Sequence, residues 1–240
     1  MKIAVIGASG LARELKGLIE DICDSRVMAK EPEQWQCVGL LSDKRDEHSP
    51  ATLGDFSWLE NNHVDALAMG IGSPFARLRL ASELSERFPN LQWPSFVHPS
   101  VRYHKSCRFF PGSIVYPGNI LSVNVNVQSF ALISSSCVIG HEATIGGGAV
   151  INPLCAISGG VSIGMGSLIG TRSSILRDVV IGQYCVIGPS SLVIEDVPAE
   201  TTVMGIPALR KGSYMPIDGA LPRFASRRRT ALALRRDRSD

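Results

Sequence analysis

His141 and Glu142 stand side by side in "CVIGHEATIGGG", a stretch that is otherwise apolar or built from small residues. These are the types needed for proton transfer. A neutral imidazole has a pKa close to physiological pH and can take a proton from a weak nucleophile as it attacks. A carboxylate on the other ring nitrogen would fix the tautomer and stabilise the imidazolium that forms. By residue type alone the pair is either such a dyad or an ordinary solvated corner, so the elements that place it must decide.

Those elements are repeats. Every sixth residue from Val97 to Val193 is large and apolar, seventeen positions in succession. Period six fits neither a helix nor a simple strand, but it fits a short flat strand followed by a corner, three of which close one triangular coil. The expected fold is a parallel β-solenoid with the apolar positions stacked inside. The residue after each apolar one is often Gly, Ser or Asn, which suggests a corner with positive φ at that place.

The first ninety residues read differently. "KIAVIGASGLARELKGLIEDI" is a buried strand, a glycine turn and an amphipathic helix. Two further strands, "CVGLLSD" and "VDALAMGIG", then a helix at "SPFARLRLASELSERF" and a last strand near "LQWPSFV", give a small parallel Rossmann-like sheet. "DSRVMAKEPEQWQ" reads as a polar surface loop. Amides at the start of the first helix would attract an anion. NAD binding has weak support: the turn is G-x-x-G, not G-x-G-x-x-G, and the acidic residue lies 33 positions beyond Gly10. A purely structural turn stays open.

Composition narrows the classes. The net charge of +2 gives no general case for nucleic acid, although residues 221–240 hold seven Arg against two Asp. Six cysteines without a CxxC pair, behind an N-terminus that lacks a leader pattern, are expected to be buried thiols in a reducing cytoplasm. No window is long and apolar enough to span a membrane.

Residues 97 to 209 resemble the hexapeptide-repeat acyltransferases, which form left-handed parallel β-helices and usually assemble as trimers with active sites between neighbouring solenoids. The whole layout to about Lys211, "VIGASGLARE", "LLSD", "MGIGS", "FVHPS" and then the repeats, is similar to the subfamily of nucleotide-sugar N-acetyltransferases that modify 4-amino-sugars, and to the related sialic-acid O-acetyltransferases. The resemblance implies a nucleotide-sugar-binding domain at 1–96, a β-helix acetyltransferase domain at 97–211, and an extra basic tail at 212–240 that either binds an anionic membrane surface or partner or simply solubilises.

By matching motif, the resemblance places the nucleotide sugar at Gly7, Ala8, Ser9, Gly10, Arg13, Asp43, Lys44 and Gly72. It makes His141 the general base and Glu142 its orienting partner. Acetyl-CoA is expected along small corner residues Gly159, Gly160 and Gly170, near Arg172 and Arg177, and at the closing loop with Gly205 and Pro207. Family members often carry a second histidine nine residues after the first; Val150 stands there. An amide of Gly146, Gly147 or Gly148 is the expected substitute for meeting the thioester carbonyl. Metal-dependent members of this fold need three histidines around zinc; His98 and His104 lie more than two coils below His141, so no metal is expected. The implied activity is acetyl transfer for surface glycan synthesis; O-acetylation of a sugar acid and a silent nucleotide-sugar-binding scaffold are the alternatives.

Overall fold

The fold was obtained as a computed structural model that describes residues 1–30, 35–43 and 52–213. Strand β1 (Lys2–Ile6) is buried from Ile3 onward, as a strand covered on both faces must be. Helix α1 (Gly10–Met28) buries Ala12, Leu15, Leu18, Ile19 and Ile22 on one side. It runs five residues into the segment expected to be a loop. No Gly or Pro interrupts Asp24–Met28, and Arg26 lies 4.7 Å from the centre of the Trp35 ring, close to the negative end of the helix.

Strand β2 (Gln36–Leu41), helix α2 (Trp58–Asn61), strand β3 (Ala66–Met69) and helix α3 (Pro74–Arg87) complete the unit. The sheet is parallel with order β2-β1-β3. The fourth strand expected near residues 91–97 is reduced to one bridge, Gln92 to Ala66. Pro94 follows and has no amide to donate to a ladder. Phe96–Val97 pairs with Ile114–Val115 and already belongs to the solenoid.

Seventeen two-residue strands follow, β4 (Phe96–Val97) to β20 (Leu192–Val193), closed by an antiparallel pair, β21 (Thr201–Met204) and β22 (Leu209–Ser213). They form three sheets, here the first, second and third faces, which begin at Phe96–Val97, Arg102–Tyr103 and Arg108–Phe109. Each strand from β4 to β17 pairs in parallel with the one eighteen residues on, as Ile139 does with Ile157. One coil is therefore three hexads.

Positive φ recurs at every sixth residue from Gly112 to Ser190, Glu142 included. It falls three residues after the apolar position, not one as expected. The glycines that directly follow the apolar residues serve a different purpose: a Cβ on Gly140 would come within 2.4 Å of the Gly159 amide, and one on Gly164 within 2.4 Å of the Gln183 amide. They permit close stacking of successive coils. A second inward column, two residues before the large apolar one, fills the remaining interior with small groups such as Ala143, Cys137, Cys155 and Ser173. Of the six thiols, Cys137, Cys155 and Cys185 are buried and Cys23, Cys37 and Cys107 are only half-buried.

The two units share a core. Outward residues of the first face, Phe96, Ile114, Leu132 and Val150, pack with the buried side of α1. Beside them Leu78 of α3 fills the space that the missing side chain of Gly148 leaves. The first face is thus covered by the N-terminal unit.

Candidate active site

His141 and Glu142 occupy the edge between the second and third faces, between Val138–Ile139 and Thr144–Ile145. Glu142 takes the left-handed corner conformation, φ 55°, which turns its carboxylate back on its neighbour. Nδ1 of His141 hydrogen-bonds Oε2 of Glu142. Asn124, one coil below, donates through Nδ2 to the other oxygen at 3.2 Å. These two bonds, the His141 contact first, hold the Glu142 carboxyl below the usual glutamate range. It is therefore ionised at neutral pH and accepts from Nδ1, which leaves Nε2 as the nitrogen able to take a proton.

That nitrogen sits over Gly159 of the next coil. A Cβ on Gly159 would lie 2.4 Å from Nε2 and 2.5 Å from Cε1, so only glycine leaves the ring where it is. Gly159→Ala is expected to push the imidazole aside and lower turnover at least tenfold, or about 1.4 kcal/mol of barrier, with little loss of folding stability. Steady-state kinetics beside a thermal melt checks this. Gly160, Arg177 and Asp178 share the edge, with Arg177 bonded to Asp178 at 3.0 Å.

The other expected donor residues lie on different edges. Gly146, Gly147 and Gly148 belong to the edge between the third and first faces. The amide of Gly146 is spent on Ile163 O at 2.8 Å and that of Gly148 on Ser129 O at 2.9 Å, so neither can meet a thioester carbonyl. Val150, at the position of the family's second histidine, is buried in the interdomain core at 3 % exposure. Gly170 and Arg172 lie toward the edge between the first and second faces. Gly205 and Pro207 are beside the top of it, where Ser191 Oγ accepts from the Gly205 amide at 3.1 Å.

The expected nucleotide residues do converge. Gly7 to Gly10 join β1 to α1, Gly72 follows β3, and Asp43 lies exposed just beyond β2, all at the carboxyl ends of parallel strands, where such sheets bind ligands. Gly7 has φ 114° and its amide bonds Leu41 O at 2.7 Å. No side chain caps the first amides of α1 and no acid stands in its first turn, which suits an anion. Arg13 Nη1 bonds Ala8 O at 3.3 Å. Lys44 and residues 214–240 lie outside the described residues. Sequence reasoning missed two further residues. Asn124 could have been found by stepping eighteen back from Glu142; Arg77, which ties the Met69–Ile71 loop to the solenoid, carries no sequence signal.

Residues 160–195 match the family model for the bacterial transferase hexapeptide (six repeats). Among solved structures the chain is similar to PerB from Caulobacter crescentus in complex with CoA and GDP-perosamine, at 23 % identity and TM-score 0.76 over 88 % of this chain and 98 % of that one. It is also similar to WeeI from Acinetobacter baumannii AYE, at 21 % identity and TM-score 0.73 over 88 % and 100 % of the two chains. A third likeness is to the acetyltransferase domain of PglB from Neisseria gonorrhoeae FA1090, at 22 % identity and TM-score 0.63 over 88 % and 99 %. The fold is a hexapeptide-repeat left-handed β-helix behind an α/β unit. No curated protein matches the chain by sequence. Among the described residues no group of three or more His, Cys, Asp or Glu could hold a metal ion, and no helix is long and apolar enough to cross a membrane.

Proposed function

We propose that the chain is a cytoplasmic, acetyl-CoA-dependent N-acetyltransferase that acts on a nucleotide-linked 4-amino-sugar in surface glycan synthesis. The observation that supports this most is the His141–Glu142 pair with Nε2 free on an open edge. The neutral amine of the sugar attacks the thioester carbonyl carbon, the new N–C bond forms, and Nε2 takes the amine proton. Collapse of the tetrahedral adduct breaks the C–S bond, and the proton passes to the departing CoA thiolate. Acetyl-CoA is the co-substrate. PerB, which the fold matches over most of its length, was solved with CoA and GDP-perosamine, and this supports the class of both substrates.

The site needs more than one subunit. The glycine loop opens the helix that lies on the first face, as the Tyr116 hydroxyl bonded to Leu11 O also marks. His141 stands on the edge opposite that face. The solenoid lies between them, so a nucleotide held by the loop reaches a base only on another chain. The second face fits such an assembly, since its outward Ile120 and Val138 are 46 % and 52 % exposed. We assign a homotrimer with the loop of one chain facing His141 of the next.

Mixing tests the function and the arrangement together. Ser9→Glu places a carboxylate where the nucleotide phosphates would lie, and His141→Ala removes the base. Each variant alone is expected to acetylate a GDP- or UDP-linked amino sugar at no more than about a hundredth of the wild-type rate. Trimers co-assembled from equal amounts should recover about a quarter of wild-type activity, since each site draws on two chains. No recovery from well-mixed trimers would place both halves of the site on one chain.

A further inference from the structure

Directly below the His141–Glu142 pair, on the same edge and the third face, is a polar cavity of about 430 Å³ lined by Lys105, Ser106, Arg108, Asn124 and Asn126. Its registry with the dyad is fixed by the ladder. Asn126 pairs with Thr144 above it and with Arg108 below, and Asn124 reaches up to bond Glu142. Lys105 and Arg108 are therefore two coils below the reacting edge, roughly 10 Å at the spacing of adjacent strands. No carboxylate lines the cavity. Among the described residues neither cation is in an ion pair.

The Ser106 hydroxyl lines the cavity but is spent on His104 Nδ1. Two unpaired cations and the remaining amide N–H of Asn124 and of Asn126, each of which makes one bond already, are donors in one concave site for a multiply charged oxyanion. The distance selects which one. A pyranose whose amine is at Nε2 presents its anomeric oxygen, and the phosphate attached to it, one ring away. Nε2 leans toward the coil above, where Gly159 and Arg177 offer the expected path for CoA; the cavity lies the other way. We propose that Lys105 and Arg108, with Asn124 and Asn126, form the subsite for the diphosphate of the nucleotide-linked acceptor, so that the solenoid itself grips the sugar nucleotide next to the base. This rests on the acetyl-transfer reading of His141.

Inorganic pyrophosphate is the direct probe, titrated calorimetrically into the full chain with and without Lys105→Ala/Arg108→Ala. The cationic pair should bind pyrophosphate, and its removal should weaken binding at least about tenfold. In the otherwise wild-type protein the same double substitution should raise KM for GDP-perosamine by a similar factor and leave KM for acetyl-CoA unchanged. Equal pyrophosphate affinity with and without the two cations overturns the subsite. A rise confined to the KM for acetyl-CoA also overturns it, by assigning the cations to the donor. If the wild type acetylates no amino sugar yet loses pyrophosphate binding with the cations, the acetyl-transfer reading falls and the anion site stands. Both side chains are exposed, so the variants are expected to fold.

Discussion

His141→Ala is expected to lower kcat by about 10²–10⁴-fold, the usual contribution of a positioned general base, with the melting temperature and nucleotide affinity unchanged. The side chain is 60 % exposed, and its removal vacates no packed volume. Glu142→Gln should cost less, because the amide can still meet Nδ1 but offers no charge to the imidazolium. A stopped assay of free CoA thiol beside calorimetric titration with GDP and UDP separates catalysis from binding. Full turnover without His141 would remove the base from the mechanism and leave a solvated corner residue in its place.

The second large effect concerns Arg77, which is completely buried. Its Nη1 donates to Met69 O at 2.9 Å and Ile71 O at 2.7 Å, and its Nε to Phe130 O at 3.0 Å. The first two carbonyls belong to the loop leading to Gly72, and the third to an edge of the solenoid. One guanidinium therefore fixes the loop before Gly72 against the repeat domain. Burial pulls its pKa down to about 10, so it remains charged at neutral pH, with Nη2 unpartnered among the described residues. Arg77→Met would strand three carbonyls in apolar surroundings while removing a costly buried charge. The balance is a loss of about 2–4 kcal/mol, seen as a fall in melting temperature of roughly 5–15 °C. Arg77→Lys keeps the charge, lacks the fork, and should fall between. Nucleotide affinity should weaken together with stability, because the same contacts hold both; an unshifted melt would show that the loop is fixed by something else.

How far these features could be read in the sequence follows from their physics. The solenoid is periodic, so each of seventeen apolar residues repeats the same statement about one interior. The dyad was legible because its two members are adjacent in the chain. What the period alone misassigned was the corner. Gly140 and Gly164 suggested positive φ, yet their need is close approach between coils, while positive φ falls on Glu142, Phe130 and Tyr184 as readily as on Gly148. A corner fixed by stacked coils imposes its conformation on whatever residue stands there.

Contacts between distant segments were less legible. Arg77 and Phe130 are 53 residues apart, and nothing local to either predicts their bond. The glycine run at 146–148 suggested a free oxyanion site, but its outer amides are used in the ladder, and Leu78 covers Gly148. A docked helix is invisible to a repeat pattern. The end of α1 was lost for a related reason: the polar residues 24–28 match a loop in composition, whereas Arg26 stacked on Trp35 keeps them helical.

The most direct measurement is product analysis by mass spectrometry and NMR after incubating the wild-type protein with acetyl-CoA and GDP-perosamine or its UDP-linked 4-amino counterparts. Acetylation at the sugar nitrogen, with one CoA thiol released per product and a rate at least about a hundredfold lower for His141→Ala, is the expected result. Tight nucleotide-sugar binding with no acetylated product would contradict it and leave the chain as a binding scaffold.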